Sequence, residues 1–530
     1  NEPASVRPEA PPTRSNSRFR SGGVMSRSAD GNVRFATLSE RLVVGSSSSS
    51  SFLNGAKPRG SNESVSSSNA SSDMLVTIGD PEGVQQRRQR VRPHALARSA
   101  SDRTAKAGSA GIIFTLWNTM MGSTLLVMPH TFHASGWVLA TGISIISCLL
   151  ASHTSGLVLF HARGIMANES AEFCDLAMLH LGHGAKWVTF VTGIVVIMGA
   201  AVAMHGYTRT VISHLVEFSP SQGGLCFAAH TLDESDGASS PCEAVLGSEA
   251  AANAVYTLAV LPITVPLANL PTIRLLSRIG GVGIVCFLVI LAFAFTSAAV
   301  SAAQHGLVPA VTKPEALAQP ASASIAFGIF SLSFFIHNAV ITIMRGTAEP
   351  EHNSRNLRIA FFLVWICYVA IGVATNIFPP NGDPDSLGTD AAANGLISVP
   401  QPAVMAPFLV LARVAVLLQS ISVYPVLLFI VRAQLFSAVY FKQPYPGKLP
   451  VLLLSLVMAA ITSVFTLAQV SISEILKYVG SFGGLVCVFS MPALVHAAVH
   501  WRQGTFGLYR LLEVGLIIGF GVYSLVSQLL

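Results

Sequence analysis

The sequence predicts an all-α polytopic membrane protein, and three observations support this fold class. Its 530 residues are 51% hydrophobic and only 11% charged, with a mean hydropathy of +0.58, which is too apolar for a soluble protein of several domains. Eleven apolar segments are long enough to cross a bilayer, which takes roughly 20 mainly apolar residues. Two of these segments, each opening one half of the membrane region, carry polar residues in their middle.

The N-terminal segment, residues 1–108, has a different composition. The first hundred residues hold 21 serines, with six in a row at Ser46–Ser51, few aromatic residues and no hydrophobic periodicity. Such a segment cannot bury enough apolar surface to fold, so we expect it to be disordered. It contains 16 Lys and Arg against 9 Asp and Glu, a net charge of +7. Its basic run Arg87–Arg92 fits either contact with anionic lipid or a solvated tail kept in the cytosol.

Residues 109–530 form the predicted transmembrane domain. Its eleven spans, numbered 1 to 11 in chain order, are predicted near 109–132, 137–160, 187–216, 254–270, 279–301, 322–344, 359–378, 403–431, 449–470, 475–498 and 508–530. Span 4 is the weakest candidate of the eleven, because it is short and contains Pro262 and Pro266. Arg and Lys concentrate in every second loop and the adjoining helix ends, whereas Lys313 is the one basic residue in the opposite loops. This asymmetry predicts a cytosolic N-terminus and an odd number of spans.

The seven cysteines divide according to this topology. Five lie in apolar spans or on the predicted cytosolic side, while Cys226 and Cys242 share the loop of residues 217–253 on the opposite face. That face is oxidising, and two exposed cysteines sixteen positions apart in one loop are expected to pair there. The sequence therefore predicts a Cys226–Cys242 disulfide.

Two interrupted spans point to a binding site. Span 1 contains the polar run Asn118–Thr124, and span 6 contains His337-Asn338. A helix broken inside a bilayer leaves backbone groups that lipid cannot satisfy, so such breaks occur where they line a cavity. Spans 1–5 and 6–10 superpose as two five-helix halves of opposite orientation, and paired breaks in such halves indicate a midplane substrate site. The alternative is that these polar side chains only bond across helices.

Several motifs carry a resemblance to a known family. They are Trp117-Asn-Thr-Met-Met-Gly122 followed by Pro129, Ser135-Gly-Trp137, Phe335–Thr342, Asn353–Ala360, Val423–Leu427 with Arg432–Leu435, and Tyr478–Leu485. These residues resemble the amino acid/auxin permease family over residues 109–530. The resemblance implies a LeuT-like 5+5 inverted-repeat fold with eleven spans, the last being additional. It also implies secondary active transport that exports amino acids from an acidic organelle, the lysosome or vacuole.

The resemblance also assigns site residues. Asn118 and Ser422 match positions that hold sodium through side-chain oxygens, and Ser420 is the alternative if span 8 is shifted slightly. The substrate-binding segment corresponds to Thr119, Met120, Met121, Gly122, Ser123 and Thr124. Freed N–H groups and the positive end of a half-helix suit a carboxylate, and freed carbonyls suit an ammonium group or Na⁺. Gly122 allows the backbone to approach the ligand with φ > 0.

Ionisable groups are scarce in the spans. Apart from the helix ends, marked by Glu217, Glu474 and Glu513, the spans lack Asp and Glu. Neutral amino acids need no carboxylate partner, whereas a cationic side chain usually has one in a membrane. His205, His214 and His337 could respond to organellar pH. The pairs His180/His183 and His496/His500 have helical spacing for a metal, but the sequence shows no third ligand for either.

Three classes of function compete. A symporter coupled to Na⁺ or H⁺ explains the paired breaks, and an amino acid sensor signalling through its tail would use the same site. An enzyme is disfavoured because the sequence has no His-Glu-x-x-His or Gly-x-Ser-x-Gly motif and no pair of membrane aspartates.

No cofactor is expected except Na⁺ as a possible coupling ion. The expected partners are an amino acid, the bilayer and cytosolic regulatory proteins at the tail, not nucleic acid. The lysosomal or vacuolar membrane is the expected location, with the plasma membrane as the alternative.

The disulfide prediction can be tested by mass spectrometry. A tryptic digest without reduction should contain one species that links the Cys226 and Cys242 peptides, and reduction should separate it. Ready alkylation of either thiol in the intact, unreduced protein would contradict both the disulfide and the face assigned to this loop.

Overall fold

The computed structural model describes residues 108–122, 124–166, 172–216, 249–270, 273–306, 313–382, 387, 403–439 and 447–530. Within these ranges the secondary structure is helical and contains no strand. Residues 1–107, Ser123, Cys226 and Cys242 lie outside the described residues, so what the sequence predicts for them stays a prediction. The five described cysteines are unbonded: Cys148, Cys174, Cys286, Cys367 and Cys487.

Eleven spans can be traced through the described residues. Ten helical segments are long and apolar enough to cross a membrane, and a bent pair at the start makes the eleventh. Span 1 is Ser109–Met121 with Thr124–Ser135, and spans 2 to 5 are Trp137–Ala162, His183–Val216, Ala250–Ala268 and Val282–His305. Spans 6 to 11 are Pro320–Arg345, Pro350–Ile377, Ala406–Phe436, Lys448–Leu467, Ile472–Arg502 and Leu508–Val526. The predicted all-α polytopic class is confirmed.

Several of these spans are composed of more than one helix. Span 4 is divided into Glu249–Leu258 and Leu261–Ala268. Pro262 lies in the first turn of the second helix, where its missing N–H costs little, while Pro266 lies inside that helix. Span 10 changes from α-helix to a π-helix at Gly484–Ser490 before it continues as Met491–Arg502. Span 4, the weakest candidate in the sequence, is thus present as Ala250–Ala268.

Small residues allow spans 3, 6 and 10 to approach one another closely. Gly480 of span 10 faces Gly328 of span 6, and a Cβ at Gly480 would overlap the carbonyl oxygen of Gly328. Gly199 of span 3 contacts Val479 of span 10 in the same way. In a membrane the hydrophobic effect does not drive helices together, so close backbone contact of this kind supplies much of the packing energy. The contact of Gly199 with Val479 joins the two halves of the domain, and the contact of Gly480 with Gly328 joins two spans within the second half.

Buried polar groups in the scaffold are bonded to freed backbone carbonyls. The Arg432 side chain of span 8 is fully buried and donates to the carbonyl oxygens of Ala268 and Leu270, where span 4 ends, at 3.0 Å for Leu270. The guanidinium group also lies 4.4 Å from the Phe429 ring centre. A cation at the carbonyl end of a helix is favourable, since the helix dipole is negative there. Arg432 therefore anchors the end of span 4 to span 8.

The glycine contact between spans 6 and 10 makes a stability prediction. Gly480→Ala should lower the stability by about 1–3 kcal/mol, because the methyl group would force two backbones apart. Gly515→Ala in span 11 is the matched control, since no atom lies within 4 Å of a Cβ placed there. Thermal unfolding of both variants in detergent should show a lower midpoint for Gly480→Ala alone. Equal midpoints would contradict the close packing.

Candidate functional site

The first span is interrupted at Gly122. The helix Ser109–Met121 ends there, Gly122 has φ 21° and ψ −137°, and a short 3₁₀ helix, Thr124–Val127, leads into the helix Met128–Ser135. The two halves of the span make an angle of 55°. The carbonyl oxygens of Thr119 and Met120 lie 3.8 Å and 3.9 Å from the position that a Cβ would take on Gly122. A Cβ on Gly122 would thus be in ordinary van der Waals contact with the carbonyl groups of the last helical turn.

The predicted substrate-binding residues do not all face the same way. Met120, Met121 and Thr124 are buried in the bundle, while Thr119 is exposed and its hydroxyl donates to the carbonyl of Thr115, 2.7 Å away. The Thr119 side chain therefore belongs to the outer face of the helix. Only the carbonyl group of Thr119 lies next to the break at Gly122.

A tyrosine that sequence reasoning missed bridges this interruption. The Tyr368 hydroxyl of span 7 donates to the Met120 carbonyl at 2.8 Å and lies 2.7 Å from the Thr124 hydroxyl. Because its one proton goes to the carbonyl, it must accept the proton of Thr124. In an unbroken helix the Met120 carbonyl would accept from the amide of residue 124. The Tyr368 side chain is fully buried and supplies the missing bond.

The sixth span is interrupted as well. Its first helix ends at Ser333 and its second begins at His337, so the break comprises Phe334, Phe335 and Ile336. The Phe334 ring lies 5.9 Å from the Tyr368 ring, edge to face. Tyr368 therefore contacts both breaks, with its hydroxyl on span 1 and its ring on span 6. The predicted pairing of two interrupted spans is present in the structure.

The polar pair predicted in span 6 lies just beyond its break. His337 is fully buried, and its Nε2 lies 2.9 Å from the Thr154 hydroxyl and 3.1 Å from the Ser155 hydroxyl of span 2. The Asn338 side chain lies against Gly193 of span 3. A Cβ placed on Gly193 would overlap the side-chain amide of Asn338. His337 thus joins spans 2 and 6, as the cross-helix alternative expects, while the interruption itself is apolar.

Two oxygens of the residues assigned to sodium, one of them on the alternative residue Ser420, are buried without a partner among the described residues. Asn118 Oδ1 and Ser420 Oγ are buried and make no hydrogen bond with any described residue. Ser422 Oγ instead donates to the carbonyl of Gln419, 2.7 Å away. Oxygen atoms are the ligands that hard cations bind. This set fits Na⁺, and Ser420 fits it at least as well as Ser422.

Span 5 connects the two halves of this donor set. Trp117, next to Asn118, packs edge to face on Phe287 of span 5 with ring centres 5.9 Å apart. Gly283, one turn away on the same side of span 5, lies against the Gln419 side chain of span 8. Trp117, the neighbour of Asn118, and Gln419 therefore both contact the same short stretch of span 5.

A partly buried carboxyl group lies near the second half of span 6. Glu172 caps the helix Phe173–Leu181 through a capping box with Asp175. A cavity of about 10 Å³, bordered by Glu172, Thr189, Asn338 and Gln434, lies beside it. Burial and the neighbouring Asp175 raise the pKa of Glu172. The carboxyl group therefore holds its proton to a higher pH than an exposed glutamate does.

Four of the remaining histidines gather at the end of spans 2 and 10. His161 Nε2 lies 3.0 Å from His496 Nδ1, and the rings of His180 and His500 lie 6.2 Å and 6.5 Å from His161. Arg510 lies 3.1 Å from His496 Nε2, which must accept because arginine only donates. His496 Nδ1 then carries the proton and donates it to His161 Nε2. The lone pairs of His496 Nε2 and His161 Nε2 are therefore both engaged in hydrogen bonds. In the described part of the chain no group of three side chains is arranged to hold a metal.

Comparisons with known proteins agree with this architecture. Residues 105–522 match the family model described as transmembrane amino acid transporter protein. A sodium-coupled neutral amino acid transporter 9 homolog of Caenorhabditis elegans is 27% identical over 475 residues, covering 81% of this chain and 74% of that protein. Neutral amino acid transporter 9 of Danio rerio is 26% identical over 466 residues, covering 81% of each. The resemblance to the amino acid/auxin permeases, and among them to transporter 9, is confirmed.

A solved structure shows the fold. MhsT, crystallised in complex with L-phenylalanine, superposes with a TM-score of 0.50 at 12% identity, covering 80% of this chain and 99% of its own. At that identity the likeness concerns the fold alone. It confirms the LeuT-like inverted repeat that the resemblance implied. The curated relatives carry transporter names, consistent with a protein that is not an enzyme.

Gly122 can be tested by substitution. Gly122→Val should abolish amino acid flux while leaving the protein folded, because the branched side chain would press on the carbonyls of Thr119 and Met120 and disfavour the positive φ. Gly142→Val in span 2, where no atom lies within 4 Å of a Cβ, is the matched control. Wild-type flux in the Gly122 variant would exclude this break as the substrate site.

The bridge made by Tyr368 gives a second test. Tyr368→Phe should leave the Met120 carbonyl buried without its partner, at a cost of about 1–3 kcal/mol. We expect about a tenfold loss of kcat/KM for transport. Tyr424→Phe is the control, since this buried hydroxyl bonds to Thr462, at 2.6 Å, away from both breaks. If the two variants lose the same activity, Tyr368 has no special role at the break.

Proposed function

Because the chain belongs to the transmembrane amino acid transporter family, we propose that it is a secondary active transporter that binds an amino acid at the interrupted segment of span 1. The observation that carries this proposal is the pair of interrupted spans joined by Tyr368. Backbone groups released at a break inside a bilayer need polar partners. The α-amino and α-carboxyl groups of an amino acid are such partners.

The two charged groups of the substrate would bind to opposite kinds of backbone group. The carbonyls of Thr119 and Met120 lie next to Gly122 and suit an ammonium group. The half-helix that begins after the break presents its positive end, which suits a carboxylate. Movement between the two sides would then consist of one five-helix unit rocking about the fixed site.

Neutral amino acids are the proposed substrate class. None of the described residues at either break is an Asp or Glu, so a cationic side chain would have no carboxylate partner there. Met120, Met121 and Phe334 are buried around the breaks and favour an uncharged side chain. The relatives from Caenorhabditis elegans and Danio rerio are likewise named as neutral amino acid transporters.

Coupling to an ion is the second part of the proposal. Na⁺ would be held by Asn118 with Ser422 or Ser420, and the energy of its gradient would drive symport. Glu172 is the group that supports H⁺ as the alternative, because its raised pKa brings its titration closer to the cytosolic pH. Export from the lysosome or vacuole, with the N-terminus in the cytosol, follows from the resemblance and the distribution of basic residues.

Flux in reconstituted vesicles tests the function directly. Purified protein in proteoliposomes should take up labelled neutral amino acids when a Na⁺ or H⁺ gradient is applied, and protein-free vesicles should not. Binding of the same amino acids without any flux would support the alternative of a sensor that signals through its tail. Absence of both flux and binding across a panel of amino acids would contradict the proposal.

Variants can separate the two coupling ions. If Na⁺ is the coupling ion, Asn118→Ala should remove the Na⁺ dependence while leaving the pH dependence of flux unchanged. If H⁺ is the coupling ion, Glu172→Gln should remove the pH dependence instead.

A protein lacking residues 1–107 should retain full flux, since the tail lies outside the predicted transport domain. Loss of flux in a folded truncated protein would show that the tail takes part in transport.

A further inference from the structure

A groove lies on the outer surface of the bundle between spans 2 and 7, behind the ring pair that Phe361 makes with Phe334. Its volume is about 340 Å³. Its floor is formed by Cys148 and Phe361, whose Sγ atom and carbonyl oxygen lie 3.7 Å apart. Its walls are formed by Ile145 and Leu149 of span 2 and by Phe362 and Trp365 of span 7. Ser152 and Arg358 lie at one end of the groove.

The groove has a fixed shape. Trp365 Nε1 donates to the Ser144 hydroxyl at 3.2 Å, so the indole plane is held in place by span 2. The Phe362 ring lies beside it, with ring centres 5.9 Å apart. From Arg358 to Trp365 the helix rises about 10 Å, at 1.5 Å per residue. An apolar trough of that length runs along the helix axes through most of one bilayer leaflet, which is about 15 Å thick.

The groove carries positive charge at one end only. Arg358 is exposed, and its single hydrogen bond to the described residues is from Nε to the Ser354 carbonyl, at 3.3 Å. Both terminal nitrogens are therefore available, and a guanidinium group binds phosphate through two parallel N–H groups. The basic residues of this loop, Arg345, Arg355 and Arg358, predict that it faces the cytosol, whose leaflet holds the anionic lipids.

We propose that this groove binds one anionic glycerophospholipid of the cytosolic leaflet, with an acyl chain along the trough and the phosphate on Arg358. A sterol would fill the trough but would offer no charge to the arginine. A free phosphate would satisfy the arginine and leave the aromatic walls facing bulk lipid. A phospholipid matches both the length of the apolar trough and the position of the charge.

Fluorescence quenching by brominated lipids tests this proposal. The full chain is placed in nanodiscs that contain either phosphatidylserine or phosphatidylcholine with brominated acyl chains. The contribution of Trp365 is the difference between the wild-type protein and Trp365→Phe. Brominated phosphatidylserine should reach half-maximal quenching of Trp365 at about one fifth of the mole fraction that brominated phosphatidylcholine requires. The reason is that one basic residue contributes about 1 kcal/mol to the binding of an anionic lipid.

Two arginine variants locate the headgroup. Arg358→Gln should abolish the preference for phosphatidylserine, while Arg355→Gln, on an exposed residue of the same helix that does not border the groove, should keep it. Unchanged thermal midpoints confirm that both variants are folded. Equal quenching by the two lipids in the wild-type protein, or a preference that survives in Arg358→Gln, would overturn the proposal. Loss of quenching on addition of soluble phosphate would do so as well, because it would identify free phosphate as the ligand.

Discussion

The structure depends on one constraint, which is that a backbone carbonyl buried in a membrane protein must have a hydrogen-bond donor. The break at Gly122 releases the Met120 carbonyl from the helical pattern, and the Tyr368 hydroxyl takes the place of the missing amide. The same side chain packs on Phe334, where span 6 is interrupted. Without such a partner the break would cost several kcal/mol, and a continuous helix would be favoured. Span 7 therefore makes an open segment in span 1 possible.

The remaining packing holds the two interrupted spans in place. Glycines at the contacts of spans 3, 6 and 10 bring backbones together, and His337 joins span 6 to two hydroxyl groups of span 2. Arg432 attaches span 4 to span 8 at the opposite part of the scaffold. Spans 5 and 8 meet at Gly283 and Gln419, next to the residue pair Trp117 and Phe287. The region proposed for the coupling ion thus lies where span 1 meets the scaffold, so that ion binding and movement of span 1 would be linked.

Charge is located mainly at the ends of the helices. Glu172 lies at the start of a connecting helix, and the histidine chain from His161 to His496 ends on Arg510 of span 11. Arg358 lies at the end of the groove between spans 2 and 7. Desolvating a charge is expensive, and the membrane interface is where it costs least. The middle of the bundle is left to neutral polar groups and freed backbone, which is the chemistry suited to a zwitterionic substrate.

The sequence alone determined the fold class, the eleven spans and the interruption of span 1, because apolar length and a polar run inside it are local properties. Resemblance of motifs such as Trp117–Gly122 then determined the family and the LeuT-like repeat, which the comparisons confirmed. The polar pair His337-Asn338 predicts the interruption of span 6, but the break lies just before it in the apolar segment Phe334–Ile336, where Phe334 packs on Tyr368. Tyr368 and Glu172 carried no sequence signal, because their partners are distant along the chain. Which oxygens are left without a partner, such as those of Asn118 and Ser420, depends on every neighbouring helix, and only the tertiary structure decides it.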